Sequence, residues 1–146
     1  MTSTSVQPGS ASAGSQQPAI PFEEALNRLS SAVTAKELFR FSTRIGMSPE
    51  QFERLSGASP HRLRRGRGSD EVIPQEKNEP FLRCGRVFKR VLALCNKDEN
   101  AARQWLNASA PMLKNKKPIE AAETNAGAKN VDNLITQLAK AVGLSI

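Results

Sequence analysis

The stretch SPEQFERLSGASPHRLRR, residues 48–65, carries a dense succession of helix start and stop signals. Ser48 can cap the N-terminus of a first short helix, and Gln51, three residues later, would complete a capping box. Gly57 lies at the centre of a tight turn that ends this helix, and Ser59 can cap a second short helix. Two short helices joined by a glycine turn are typical of a helix-turn-helix motif.

Helical patterns continue on both sides of this motif. Before it, Phe22, Leu26, Leu29 and Val33 recur at helical spacing and predict one face of a first helix. The predicted N-terminal capping groups of the other helices are Thr34, Asn78, the capping box Asn96-Lys97-Asp98-Glu99, and Thr124. No segment alternates with a period of two residues for long enough to form a strand, so the sequence predicts an all-α fold.

The composition divides the chain into four parts. Residues 1–20 are mostly small and polar, cannot bury a core, and are predicted to be a disordered tail. Residues 21–78 contain the helix-turn-helix pattern and are predicted to bind DNA, with a hinge at 66–78 that is punctuated by glycine and proline. Residues 79–95 are predicted to form a long connecting helix, and residues 96–146 a second helical domain.

Composition also excludes several classes of protein. The chain has 146 residues, of which 38% are hydrophobic and 24% charged, as in an ordinary globular protein. Its longest apolar run, residues 91–95, is far shorter than the roughly 20 residues of a membrane span. The N-terminus lacks the basic and apolar regions of a secretory signal, so we expect a cytoplasmic protein that does not bind membranes.

Few residues could support catalysis. His61 is the only histidine, and neither a GxxxxGK[ST] phosphate loop nor a GxGxxG turn occurs. A nucleophilic pair of His61 with Cys84 or Cys95 would require a thiol to leave the apolar face of the long helix. We therefore predict a protein that is not an enzyme and uses no cofactor or metal, with both cysteines as reduced, partly buried thiols.

Positive charge is concentrated near the helix-turn-helix pattern. Residues 36–67 contribute +5 of the formal net charge of +7, a balance that favours an acidic partner such as DNA. The predicted DNA-binding residues are Ser59, His61 and Arg62 for base edges, and Arg64, Arg65 and Arg67 for the backbone. The alternative is that the four arginines only solvate a loop. A further basic stripe, formed by Arg83, Arg86, Lys89 and Arg90 on the long helix, is interpreted as its solvated face. The alternative is that it lies next to the arginine cluster in space and extends the DNA-binding surface.

The C-terminal region offers a second set of candidate contacts. The last predicted helix is ended by Gly143, and its apolar positions are Val131, Leu134, Ile135, Leu138 and Val142. Trp105 is by default an anchor of the core. Lys114, Lys116 and Lys117 form a basic knot that could contact an acidic protein surface or solvent. The tail Leu144-Ser145-Ile146 could either fray or insert into a pocket of a partner.

The order of motifs in this region resembles a known family. The pattern A-x-x-W-L, P-x-L, P, T-x-x-G-x-x-x-V and a final glycine is matched by Ala102 to Leu106, Pro111 to Leu113, Pro118, Thr124 to Val131, and Gly143. It resembles the toxin-binding domain of Xre/MbcA/ParS-type antitoxins, and residues 34–95 resemble the Xre-like helix-turn-helix half of that family. Lys114-Asn115 stand where the family usually carries glycine.

The resemblance implies a type II antitoxin paired with a RES-domain toxin that degrades NAD. Residues 96–146 would be the toxin-binding antitoxin domain and would block the active-site cleft of the toxin. The implied toxin-binding residues are Trp105, Lys114, Lys116, Lys117, Leu144, Ser145 and Ile146. The N-terminal half would bind operator DNA as a homodimer and repress the protein's own operon. A stand-alone helix-turn-helix transcriptional regulator and a basic RNA-associated adaptor remain as alternatives.

Overall fold

The computed structural model describes residues 20–146, and this part of the chain is mostly helical. Its α-helices are α1 (Phe22–Arg28), α2 (Ala35–Arg44), α3 (Pro49–Ser56), α4 (Pro60–Arg64), α5 (Glu79–Leu94), α6 (Glu99–Leu106), α7 (Pro118–Ala121) and α8 (Asn125–Ala141). Two 3₁₀-helices, Gln75–Asn78 and Pro111–Leu113, lie between them. With 65% helix, the prediction of an all-α fold is confirmed. The predicted tail, apart from Ile20, lies outside the described residues.

The sequence predicts neither the 3₁₀-helix Gln75–Asn78, which lies in the predicted hinge, nor a small antiparallel sheet. Strand β1 (Val33–Thr34) pairs with β2 (Val72–Ile73), with Val33 opposite Ile73. Two residues are too few for an alternating pattern to be recognised. The prediction that Val33 continues the first helix is wrong, because α1 ends at Arg28 and Val33 enters the sheet.

Four helix starts agree with the capping predictions. The side chains of Thr34, Ser48, Ser59 and Thr124 each accept a hydrogen bond from the backbone N–H three residues further along the chain. Each of these bonds satisfies one of the N–H groups that a helix leaves free in its first turn. A sequence pattern can predict such caps because both partners lie within four residues of each other.

Two other capping predictions are wrong, because the side chains have distant partners. Gln51 does not close a capping box, and its amide donates instead to the backbone oxygen of Ile119. Asn78 is fully buried and donates to the carbonyl oxygens of Leu29 and Ser31 rather than capping α5. Both amides therefore hold separate segments of the chain together.

The start of α6 also differs from the prediction. Asp98, and not Asn96, is the capping residue, and its carboxylate accepts from the N–H of Ala101. Asn96 and Lys97 both have positive φ, so they form the turn between α5 and α6 and cannot belong to the helix cap.

Helix α5 is the central element of the fold. It packs against α1, α6 and α8, and its buried side chains belong to one apolar core that extends from Phe22 to Ile135. Gly85 lets α1 and α2 approach closely, since a Cβ there would lie 2.6 Å from Leu26 Cδ1 and 2.7 Å from Phe41 Cζ. The N-terminal and C-terminal helices are therefore both built on α5.

Candidate functional site

An apolar surface lies near the C-terminal end of the chain. We define the C-terminal apolar surface by the exposed side chains Met112, Leu138, Val142, Leu144 and Ile146. Leu138 and Val142 lie one turn apart on α8. Met112 lies beside the same helix, where it borders an open cleft of about 130 Å³ together with Leu134 and Gln137. Exposed large apolar side chains in one region of a chain define a candidate interaction site.

The tail leaves α8 in a defined direction. Gly143 has φ of 77°, and its N–H donates to the carbonyl oxygen of Lys140 at 3.2 Å. The N–H of Leu144 donates to the carbonyl oxygen of Ala139 at 2.8 Å. These two bonds form a Schellman motif, which satisfies carbonyl groups at the end of a helix. Leu144 is thus held by the helix end while its side chain remains exposed.

Lys114 and Asn115 form a strained turn before α7. Their φ values are 58° and 64°, and the N–H of Lys116 donates to the carbonyl oxygen of Leu113 at 3.1 Å, as in a type I′ turn. Glycine adopts this conformation without strain, whereas a lysine does so at a cost. The turn presents the positive charge of Lys114 to solvent.

The other predicted toxin-binding residues differ in exposure. Lys114, Lys116 and Lys117 are exposed and form no ion pair within residues 20–146. They follow Met112 closely in the chain, so the basic knot borders the C-terminal apolar surface. Trp105 is half-buried and packs against the core. Ser145 is exposed between the two apolar residues of the tail.

Sequence reasoning missed three members of the C-terminal apolar surface. Leu138 and Val142 belong to the apolar repeat of the last helix, yet Val142 is 66% exposed and Leu138 is 36% exposed. Met112, in the 3₁₀-helix Pro111–Leu113, is also 66% exposed. For Leu138 and Val142 the available signal was the apolar repeat of the last helix, whose final two members flank the last buried residue, Ala139.

Helices α3 and α4 meet at a turn centred on Gly57. This residue has φ of 80°, and the hydroxyl of the buried Ser56 donates to the carbonyl oxygen of Phe52 and accepts from the N–H of Ala58. Ser56 therefore stabilises the turn by hydrogen bonds. Glu53, on the same helix, is exposed.

The predicted DNA-binding arginines form a charged surface around α4. Arg62, Arg64, Arg65 and Arg67 are exposed and have no acidic partner within 4.0 Å in the described part of the chain. The guanidinium carbon of Arg64 lies 5.9 Å from the centre of the Phe39 ring. The Nη1 atom of Arg65 lies 3.4 Å from Nε2 of His61. The Ser59 hydroxyl accepts from the N–H of Arg62 as the cap of α4, and it retains its O–H donor and a second lone pair.

The basic stripe on α5 is not uniformly solvated. Arg83 donates twice to the carbonyl oxygen of Glu123, and Arg90 donates to both the carbonyl and the carboxylate of Asp132. Arg86 and Lys89 remain exposed. The interpretation of this stripe as a solvated face is therefore wrong for Arg83 and Arg90, which hold the segment before α8 and α8 itself against α5.

A polar junction joins the N-terminal helices to the C-terminal segment. The carboxylate of Glu123 accepts from Arg54 at 2.7 and 3.0 Å and also from the buried amide of Gln51. The hydrogen bonds and charge of Glu123 raise the pKa of Arg54, which stays positive at every relevant pH. Cys84, beside this junction, donates to the carbonyl oxygen of Ile119 at 3.6 Å.

The thiols are placed as core residues rather than as nucleophiles. Burial, with a smaller effect of the Glu123 charge, raises the pKa of Cys84 to about 12, so its reactive thiolate is scarce at neutral pH. Burial and Asp98 also raise the pKa of Cys95. Among residues 20–146, no group of three or more His, Cys, Asp or Glu side chains could hold a metal ion.

The described residues form a small helical protein with a basic surface around α4 and exposed apolar and lysine side chains around the end of α8. Residues 90–140 match the family model described as antitoxin Xre/MbcA/ParS C-terminal toxin-binding domain. The match covers about a third of the chain and supports a role as an antitoxin of a toxin–antitoxin system, a class that is typically not enzymatic. A comparison with curated proteins finds no match. In the described part of the chain, no helix has both the length and the apolar character needed to span a bilayer.

Proposed function

We propose that this protein is the antitoxin of a RES-domain toxin that degrades NAD, and that it neutralises the toxin by covering its active-site cleft. The observation that carries this proposal is the C-terminal apolar surface. It lies within and directly after a segment that matches a toxin-binding domain, and its large side chains have no cover in the described chain. The choice of a RES-domain toxin rests on the resemblance of the motif order from Ala102 to Gly143.

The contact is proposed to combine apolar anchors with charge. Val142, Leu144 and Ile146 would enter an apolar part of the cleft, since removal of their exposed apolar area from water favours association. Lys114 and its neighbours Lys116 and Lys117 would meet acidic groups at the rim and speed association. Trp105, half-buried against the core, would add the exposed part of its ring to the contact.

A pair of matched variants tests the proposed contact. Val142→Asp places a charge in the surface, whereas Val72→Asp changes an equally exposed valine on β2, outside it. With the toxin encoded by the adjoining reading frame, we expect Val142→Asp to weaken binding by about tenfold or more and to restore toxin-driven loss of cellular NAD. Val72→Asp should bind and protect like the unchanged protein.

Removal of residues 144–146 tests the tail separately. We expect it to abolish protection while leaving DNA binding unchanged, because none of the residues proposed to contact DNA lies in the tail. Full protection by both the truncated chain and Val142→Asp, or equal loss with Val72→Asp, would contradict the proposed surface.

We further propose that the N-terminal half binds operator DNA as a homodimer and represses the operon. The unpaired arginines around α4 support this role, because clustered guanidinium groups without acidic partners bind phosphates. Substitution of Arg62 and Arg64 by Ala should weaken binding to the promoter duplex and flatten its salt dependence. A helix-turn-helix pattern with unpaired arginines would also suit a stand-alone transcriptional regulator. Such a regulator would fail to co-purify with any toxin.

A further inference from the structure

We propose that the DNA-binding surface extends from α4 onto α2, where Lys36 and Arg40 contact phosphate groups of the DNA backbone. This inference rests on the proposed operator binding and names a second element of that surface. Neither residue stands out in the sequence, since both lie outside the arginine-rich stretch. The fold brings α2 and the segment after α4 together.

Backbone hydrogen bonds place the segment after Arg67 against the start of α2. The N–H of Lys36 donates to the carbonyl oxygen of Ser69 at 3.3 Å, and the N–H of Ala35 donates to the carbonyl oxygen of Glu71 at 2.7 Å. Pairing of β1 with β2 continues this contact. Lys36, in the first turn of α2, therefore lies against the segment that directly follows Arg67.

An aromatic contact joins the same helix to α4. The guanidinium of Arg64 lies over the ring of Phe39, at 5.9 Å from its centre, and that ring packs edge-on against Phe52 of α3. Arg64 is thereby held along the side of α2. Lys36 and Arg40 lie one turn apart on the exposed part of α2 that borders Phe39.

The charges on this part of α2 are available to a partner. Lys36 and Arg40 are exposed and form no ion pair within residues 20–146. Glu37 lies between them in sequence, and its carboxylate closes the capping box of Thr34. The Oε2 atom of Glu37 also pairs with Nη1 of Arg28 at 3.7 Å. The surface thus combines two cations from α2 with four from α4 and the segment after it.

The chemistry of this surface favours DNA over an acidic protein. Protein interfaces depend on large apolar anchors, and of the exposed large apolar side chains in the described chain only Val72 lies in this region. Six exposed guanidinium and ammonium groups outnumber Asp70 and Glu71, the exposed acidic residues of the joining segment. This excess of positive charge without such anchors matches a phosphate backbone, whose contacts are electrostatic and independent of base sequence.

The salt dependence of binding counts these contacts. The full-length chain, without toxin, is titrated with a labelled DNA duplex of random sequence over a range of KCl concentrations. Each phosphate contact contributes about 0.9 to the slope of log K against log salt. We expect Lys36→Gln and Arg40→Gln each to reduce the slope by about that amount, whereas Lys129→Gln, an exposed lysine on α8, should leave it unchanged.

Each outcome decides the proposal. A slope that falls for Arg62→Gln but stays unchanged for Lys36→Gln and Arg40→Gln would overturn it and leave operator binding by α4 intact. Absence of duplex binding by the unchanged protein would overturn both. Binding of polyglutamate with the same dependence on Lys36 and Arg40 would assign the surface to an acidic protein instead. Toxin protection is measured independently and does not depend on any of these results.

Discussion

Lys114 is held in a backbone conformation that its side chain disfavours. Its φ of 58° lies in the left-handed region, where a residue with a Cβ loses roughly 1 kcal/mol relative to glycine. The lysine therefore stays at the tip of the turn at the expense of stability. Such a residue is a candidate for binding, because strain that does not help folding persists where a side chain is needed.

A glycine at this position separates stability from binding. We expect Lys114→Gly to raise the free energy of unfolding by about 1 kcal/mol, since glycine adopts the turn without strain. The same variant should bind the toxin more weakly, because it removes a rim charge. Denaturant unfolding and a binding titration with the toxin measure the two effects.

Lys116→Gly is the matched control, since Lys116 does not have positive φ. It should lower the free energy of unfolding, because glycine loses more conformational freedom on folding. Equal changes in stability for the two variants would show that the turn is not strained at Lys114.

Individual residues were predictable where their partners are near in sequence. Thr34, Ser59 and Thr124 cap helices through N–H groups three residues away, so a short pattern is sufficient. Gln51 and Asn78 are also polar residues at positions suited to capping a helix. Their amides instead donate to backbone carbonyl groups 68 and 49 residues away. No local pattern contains that information.

Helix α6 holds the end of α2 through a row of polar side chains. Glu99 binds Arg44 at 2.9 Å, Arg103 donates to the carbonyl oxygen of Arg44, and Asn107 donates to the carbonyl oxygen of Gly46. These residues are spaced by four, so they share one face of α6. The carbonyl groups at the end of α2 are thereby satisfied by another helix.

This contact makes stability depend on pH. The hydrogen bond from Arg44 lowers the pKa of Glu99 below its ordinary value, with burial opposing and the charges of Arg44 and Arg103 assisting. A lowered pKa in the folded state gives a stabilisation that is present above about pH 4.3, the unfolded value, and is lost as the pH falls through the folded pKa. Stability should therefore drop in acid.

Glu99→Gln isolates the contribution of this carboxylate. We expect the variant to unfold at a lower temperature than the unchanged protein at pH 7, and the difference should shrink as the pH falls below about 4. Thermal unfolding followed by circular dichroism over this pH range measures the effect. Glu53→Gln, on an exposed residue without an ion pair in residues 20–146, should show no such convergence. A difference that is constant with pH would contradict the role of the Glu99 charge.

The exposed face of α8 shows what helical periodicity cannot decide. The repeat from Val131 to Val142 predicted the helix, and Val131, Leu134 and Ile135 are buried as such a repeat suggests. Periodicity reports only that one face is apolar, and not how far a covering element extends. Leu138 and Val142 lie on that face but remain exposed, so they could be assigned to the surface only from the folded structure.

The complete fold depends on contacts that join distant parts of the chain. The sequence predicted a division between residues 21–78 and 96–146, and this division stays a prediction. The described structure places both parts on α5 and connects them through one apolar core and the junction at Glu123. Such contacts predict that the two parts unfold together.

Two observables test this cooperativity. Trp105 is the only tryptophan and reports on the C-terminal part by fluorescence, whereas far-ultraviolet circular dichroism reports on all helices. We expect the two signals to give the same denaturant midpoint. Distinct midpoints would show that the parts unfold independently and that the junction is weak.

Substitution at the junction gives a quantitative version of the same test. Glu123→Ala removes an acceptor of the buried Gln51 amide, a loss expected to cost about 1–3 kcal/mol of unfolding free energy. The exposed Arg54 should contribute little to this cost, because an exposed ion pair is weak. Glu120→Ala, on an exposed neighbour without an ion pair among residues 20–146, should change stability far less. Coincident and unshifted midpoints of fluorescence and circular dichroism for Glu123→Ala would show that the apolar core alone couples the two parts. Separate midpoints would show that the polar junction is required for the molecule to fold as one unit.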